Sequence, residues 1–219
     1  GCHNYAPFTI SHPKIRCLGG IGGGVAAKTM PVTITDCHNH GALTVDVEPQ
    51  YATAVNYAGI VGLFYGYGVD NSTVTGCTNN GAIVDKMTGT GDHNVAGIIG
   101  HLQFGVKISS CTNNARIESD QAVGRAVLGG IVGHALHNNT IEECTNNGDI
   151  AILNSAKTKI AAGIIAYDEK TNNGASVTDC VNNGSISAGS TAGDSYVSGI
   201  AAYARWTIKG CTNNGAVSL

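Results

Sequence analysis

Three sets of residues in this 219-residue chain have side chains and spacings that could support chemistry. Glu143 and Asp179 each stand immediately before a cysteine, one repeat apart. If the repeats stack, the two carboxylates come near the roughly 5 Å separation of a glycosidase pair. His3 and His38 each follow a cysteine directly, with His40 close by, and neighbouring imidazoles could share a metal. No acidic third ligand stands at a fixed spacing from them, so no metal and no cofactor is expected. The third set reads Leu63, His101, His134, Tyr167 and Tyr203, each four residues after the glycine of a recurring Gly-Ile motif. Stacked repeats would align these as a strip of rings, and aromatic faces pack well on sugars. Each set also has a plain structural reading: acids on a polar turn, exposed histidines, and rings that cap strand ends or point inward.

The elements that would position these groups follow from an internal repeat. Cys37-His-Asn-His-Gly41, Cys77-Thr-Asn-Asn-Gly81, Cys111-Thr-Asn-Asn-Ala115, Cys144-Thr-Asn-Asn-Gly148, Cys180-Val-Asn-Asn-Gly184 and Cys211-Thr-Asn-Asn-Gly215 share one pattern. Cys2-His-Asn-Tyr-Ala6 is an eroded first copy, and successive cysteines lie 35, 40, 34, 33, 36 and 31 residues apart. Between them recurs a Gly-Ile element, at Gly20-Ile21, Gly59-Ile60, Gly97-Ile98, Gly130-Ile131, Gly163-Ile164 and Gly199-Ile200. An aliphatic residue stands three before each later cysteine and another six after it.

Short apolar segments separated by Gly and Asn, with no sustained 3.6-residue period, read as strands rather than helices. None of them can bury its apolar side chains alone, so equivalent segments must stack at about 4.8 Å, the spacing of paired strands. The predicted fold is all-β: a parallel β-helix, or β-solenoid, of six to seven coils. Three sheets are expected, over roughly 30 Å of length, in one repeat domain spanning residues 1–219. A right-handed winding follows from the general preference of parallel crossovers. A β-propeller is the alternative, but its blades need four longer strands.

The repeat assigns structural work to most of its own residues. Asn39, Asn79, Asn113, Asn146, Asn182 and Asn213 should hydrogen-bond from coil to coil as a ladder. The glycine two residues later should sit in a left-handed backbone conformation, with Ala6 and Ala115 forced to strain or turn differently. Cys37, Cys77, Cys111, Cys144, Cys180 and Cys211 should form an inward column of free thiols, since stacked parallel side chains seldom offer disulfide geometry. Cys17 falls outside that column, in an exposed position.

Composition narrows the function. There are 12 basic and 15 acidic residues, giving a net charge of −3, and no basic stripe. Nucleic acid is therefore not an expected partner. No apolar run approaches the roughly 20 residues of a transmembrane segment. The strings Gly-Gly-Ile-Val-Gly and Ile-x-x-Cys-x-Asn-x-Gly-x-Ile, clearest from Gly129 to Ile150, resemble the GLUG-type and related Cys-Asn-Gly repeats of gut-bacterial secreted or surface proteins. That resemblance implies an extracellular or cell-surface location and an adhesin-like or structural role, without catalytic residues to carry over. The expected function is non-enzymatic adhesion or structural display, with a glycan or a host or cell-surface protein as partner. A β-helical polysaccharide lyase or glycoside hydrolase is the alternative, resting on Glu143 and Asp179. Unpaired strands at both ends would also suit a piece of a longer surface protein.

Overall fold

The computed structural model describes residues 1–48, 54–67, 71–120, 124–154, 157–168, 175–189 and 193–219. Val, Ile and Thr favour extended backbone, and Gly, Asn and Asp end each extended segment within a few residues. The described residues accordingly contain strands and no helix, and each strand pairs in parallel with its equivalents in the adjacent coils. The chain winds as a β-solenoid, laying strands in five sheets.

In chain order, sheet 1 runs from His3–Asn4 to Thr212–Asn213 and sheet 2 from Phe8–Ile10 to Val217–Ser218, with seven strands each. Sheet 3 runs from Cys17–Gly19 to Ser195–Ser198, sheet 4 from Gly22–Ala27 to Ala201–Tyr203, and sheet 5 from Thr33–Thr35 to Thr207–Lys209, with six each. Five sheets replace the expected three for two local reasons. The Gly-Ile pair breaks one apolar segment into the strands of sheets 3 and 4. The residue before each cysteine bends the chain so that Cys-x-Asn starts a new two-residue strand instead of prolonging sheet 5.

That bend corrects a second expectation. The left-handed position is not the glycine after the asparagine but the residue before the cysteine. Asp36, Ser110, Glu143 and Asp179 all have φ of 52°, and Gly76 and Gly210 have 65°. Short polar side chains tolerate this region better than most, which suits Asp and Ser here. The later glycine is selected by space instead: a Cβ on Gly81 would lie 2.0 Å from the Gly41 carbonyl oxygen. Ala115 keeps the same turn as its glycine counterparts, with Asn113 Nδ2 donating to its carbonyl at 2.9 Å.

The interior has two apolar lobes. One holds the aliphatic column Val74, Ile108, Ile141 and Val177, the Gly-Ile isoleucines, and the cysteines. The other stacks Leu43, Ile83, Ile117, Ile150 and Ile186 against Tyr57, Val95, Leu128 and Ala161. Between the lobes runs a polar waist. Asn39 Nδ2 donates to Asn79 Oδ1, Asn79 to Asn113 and Asn113 to Asn146, each at 2.8 Å. Asn146 continues to Asn182 and Asn182 to Asn213, both at 2.7 Å. The second amide hydrogen closes each turn on the carbonyl two residues on, as Asn146 does on Gly148 at 2.8 Å. Every donor of these buried amides is therefore used, which removes the desolvation penalty of placing them inside.

The cysteine column forms as expected. Cys37, Cys77, Cys111, Cys144 and Cys180 are buried free thiols, and Cys211 is half-buried. Contact with the neighbouring Cys111 thiol, together with burial, pushes Cys77 and Cys144 well above the ordinary thiol range. These sulfurs behave as small apolar groups that donate to nearby carbonyls, as Cys144 does to Glu142 at 3.2 Å. Cys17 does lie off the column, on sheet 3, but it is half-buried rather than exposed.

The Gly-Ile glycine explains itself against this waist. A Cβ on Gly130 would sit 2.5 Å from Asn146 Cγ and 2.0 Å from the Gly163 carbonyl oxygen. Gly130→Ala is expected to cost about 3 kcal/mol or more, because neither backbone nor a doubly bonded amide can give way. Gly24→Ala, where a Cβ meets nothing within 4 Å, should leave the urea midpoint within error. Equal midpoints for both variants would contradict this packing.

Candidate functional site

The site is built where sheets 3 and 4 turn sharply against each other outside the core. Small residues make the turn possible: a Cβ on Gly100 would lie 2.7 Å from the carbonyl oxygens of Tyr57 and Gly62. In the later coils Ala166 and Ala202 take this place, and Ala166 packs with Val127 and Ile160 in a small apolar cluster of its own. The next residue on each sheet 4 strand is the predicted ring column, which the structure brings together. Leu63, His101, His134, Tyr167 and Tyr203 are in register from coil to coil. Ring centroids are 4.5 Å apart for His101–His134, 4.9 Å for His134–Tyr167 and 5.3 Å for Tyr167–Tyr203.

The column is not uniformly accessible. His134 is buried, His101 is half-buried, and burial lowers their imidazoles to about 3 and about 4. Both rings are therefore neutral at physiological pH. Across the corner, sheet 3 contributes its own column: Asn56, Asn94, Val127, Ile160 and Tyr196. At the third coil this corner is sealed and polar, leaving Asn94 Oδ1 and His101 Nε2 buried without hydrogen-bond partners. At the fifth and sixth coils it opens.

The opening is a cavity of about 190 Å³ lined by Tyr167, Tyr196, Tyr203, Arg125, Asp194, Ile160 and Thr158. Tyr196 meets Tyr203 edge to face at 5.2 Å, and the residue is 37% exposed. The Arg125 guanidinium covers the Tyr167 ring at 4.2 Å from its centroid. Arg125 is itself held by Asp92, with Nε donating at 3.1 Å and Nη2 closer still. Sequence reasoning found Tyr167 and Tyr203 but missed Tyr196, Arg125 and Asp194, which lie on or just before sheet 3 strands. Their positions carry no repeated residue type, so only the bend between sheets reveals them.

The other sequence candidates lie elsewhere. Glu143 and Asp179 occupy adjacent coils of the left-handed turn column, both exposed. Glu143 accepts from Ser110 Oγ at 3.3 Å, and the Asp179 carboxylate lies over Gly210. His3, His38 and His40 do gather, with centroids 4.8 to 6.4 Å apart and Tyr5 stacked on His40 at 4.7 Å. The His3 and His40 planes are 6° from parallel, so their in-plane nitrogen lone pairs do not converge. Among the described residues, no group of three His, Cys, Asp or Glu is arranged to hold a metal ion. A larger cavity, about 490 Å³, opens at the first coil, but it is walled by core residues such as Ile21, Val25, Ile34 and Val61.

One further constellation has the residue types of a hydrolase triad without its geometry. His93 Nδ1 bonds Asp85 Oδ2 at 2.8 Å and Nε2 lies 3.1 Å from the Gly89 carbonyl. Ser119 Oγ donates to the same Asp85 oxygen at 2.9 Å rather than to the imidazole. All three residues are buried, so no substrate reaches them. With both ring nitrogens facing acceptors, the arrangement is a buried imidazolium–carboxylate pair. Burial alone would lower His93, but Asp85 and the Gly89 carbonyl outweigh it and leave the group raised.

These histidines act on stability in opposite directions. The raised His93 contributes stability that is complete below its unfolded value near 6.5 and is lost as pH rises through its folded value. His101 and His134, both lowered, contribute stability present above 6.5 that is lost as pH falls towards about 4 and about 3. Urea midpoints measured against pH should therefore fall on both sides. His93→Gln is expected to flatten the alkaline side, and His134→Phe the acid side. An unchanged profile in both variants would contradict the assignment.

No family model, no curated protein and no solved structure matches the chain.

Proposed function

We propose that the chain is a non-enzymatic extracellular or cell-surface display module, a stiff rod that presents a carbohydrate-binding site at the corner between sheets 3 and 4. The observation that carries this reading is the convergence of Tyr167, Tyr196 and Tyr203 on one cavity beside Arg125 and Asp194. Aromatic faces pack against the C–H faces of sugars, and charged or hydroxyl groups at the rim bond their hydroxyls. Arg125 locks the orientation of Tyr167, so part of the ordering entropy of the site is spent before any ligand arrives. Asp194 is the one carboxylate among the described lining residues, whereas the usual glycosidase route needs two flanking the scissile bond. That favours binding over cleavage.

The resemblance of the repeats to GLUG-type strings of surface proteins supports the location. The partner is a glycan, free or carried on a host or cell-surface protein. The test is a glycan array probed with the folded chain and with Tyr196→Ala/Tyr203→Ala. Selective binding that drops by about tenfold or more in the double variant is the expected result. Absence of binding by the parent chain, or cleavage of any polysaccharide on the array, would overturn it.

A further inference from the structure

On the wall opposite the tyrosine corner, a row of outward amides carries a chemistry of its own. Asn80, Asn147 and Asn183 are exposed, and each is followed by glycine, whereas Asn114 in the same row is followed by alanine. The glycine is there for space: a Cβ on Gly148 would lie 1.9 Å from the Ala115 carbonyl oxygen, and one on Gly184 2.0 Å from that of Gly148. A peptide nitrogen whose own residue lacks a Cβ is also the least hindered nucleophile towards the carboxamide before it. We propose that Asn80, Asn147 and Asn183 are latent self-modification sites, converted by water to aspartate or isoaspartate, and that the hydrogen-bonded ladder holds the reaction off. The step begins when the glycine N–H gives its proton to solvent base. Its nitrogen bonds to the asparagine Cγ, and the Cγ–Nδ2 bond breaks, releasing ammonia and leaving a cyclic imide. Water then adds to either imide carbonyl, the C–N bond there breaks, and the nitrogen regains a proton. Opening at Cγ gives aspartate; opening at the main-chain carbonyl gives isoaspartate. Each event consumes a water, releases an ammonia and leaves a carboxylate.

Ring closure needs the carboxamide turned over its own glycine and the glycine nitrogen free to attack. The fold opposes both. Asn147 Nδ2 donates to Asn114 Oδ1, and Asn147 Oδ1 accepts from Asn183 Nδ2, each at 2.8 Å, so the carboxamide is held along the rod between two neighbours. The Asn147 backbone N–H is fixed to the Asn113 carbonyl at 2.7 Å. At Gly81 the attacking nitrogen is itself engaged, donating to Asn79 Oδ1 of the inner ladder at 3.3 Å. Bonds between exposed amides exchange readily with water, so each rung opens locally rather than with the whole rod. The product cannot rebuild the rung. A carboxylate in place of the Asn147 amide has no hydrogen to offer Asn114 Oδ1, and oxygen then faces oxygen. Each event is therefore irreversible, and it adds a negative charge to a chain whose formal net charge is −3. A neutral stripe along the rod becomes anionic one coil at a time.

The experiment is incubation of the full chain in mildly alkaline buffer, folded and unfolded in guanidinium chloride. Peptide mapping by mass spectrometry and isoaspartate detection then follow each site. In the unfolded chain Asn80, Asn147 and Asn183 should convert markedly faster than Asn114. In the folded chain the same three should be slower by about tenfold or more. Asn114→Ala removes the acceptor of the Asn147 amide and leaves the bond from Asn183 to Asn147 in place. In that folded variant Asn147 should convert about threefold or more faster than in the parent, with Asn183 changed less. An Asn147 rate that does not move, or that moves equally with Asn183, would overturn the role of the rung. Equal rates in the folded and unfolded parent would overturn the protection. Sites before glycine that are no faster than Asn114 in the unfolded chain would overturn the sites themselves.

Discussion

Everything in this molecule depends on a row of asparagine amides pressed against a row of glycines. The buried amides each donate twice, once up the rod and once into their own turn, so the interior tolerates a polar seam between two apolar lobes. The glycines of the Gly-Ile motif lie against that seam within the space a methyl group would need, as Gly97 does against Asn113 and Gly163 against Asn182. The two strings of the repeat are thus two halves of one contact. It fixes the distance between opposite walls of the solenoid and forbids register slips, because a one-residue shift would bury an unpaired amide.

That constraint reaches the site through short steps. The waist glycine is followed by the inward isoleucine that anchors sheet 4, and sheet 4 then folds back on sheet 3 over Gly100, Gly133 and Ala166. The residue after this contact is the ring position. Its neighbours therefore inherit coil-to-coil spacing from the ladder, and the ring contacts of 4.5 to 5.3 Å follow from strand spacing rather than from any special feature of the rings. What varies along the column is which side chains fill the corner. Neutral histidines, His134 buried and His101 half-buried, fill it in the middle coils, and tyrosines with a paired arginine leave it open further on.

Much of this was legible in the sequence, and the limits are physical. Stacking, register, the thiol column and the asparagine ladder all follow from positions at which one residue type recurs. A second ladder did not: Asn80, Asn114, Asn147, Asn183 and Asn214 also bond in series at 2.8 Å along the surface, although they sit next to the first in the same string. The left-handed residue was misplaced because glycine marks both unusual φ and close approach, and only the backbone distinguishes them. Asp36, Ser110, Glu143 and Asp179 carry the turn without a shared side chain. The binding corner was half legible, since Tyr167 and Tyr203 belong to a repeated column while Arg125, Asp194 and Tyr196 come from the strand that folds over it. The Asp85–His93 pair was invisible, being formed between non-repeated residues eight apart that face into one lobe.

The inner amides are a structural seam and not a row of polar groups that happen to align. Side-chain amide hydrogen exchange by NMR tests it directly, since the inner and outer ladders have matching hydrogen-bond lengths and differ in burial. The Nδ2 protons of Asn79, Asn113, Asn146 and Asn182 should exchange only through global opening, far more slowly than those of Asn114, Asn147 and Asn183. Equal, fast exchange in both rows would contradict the account.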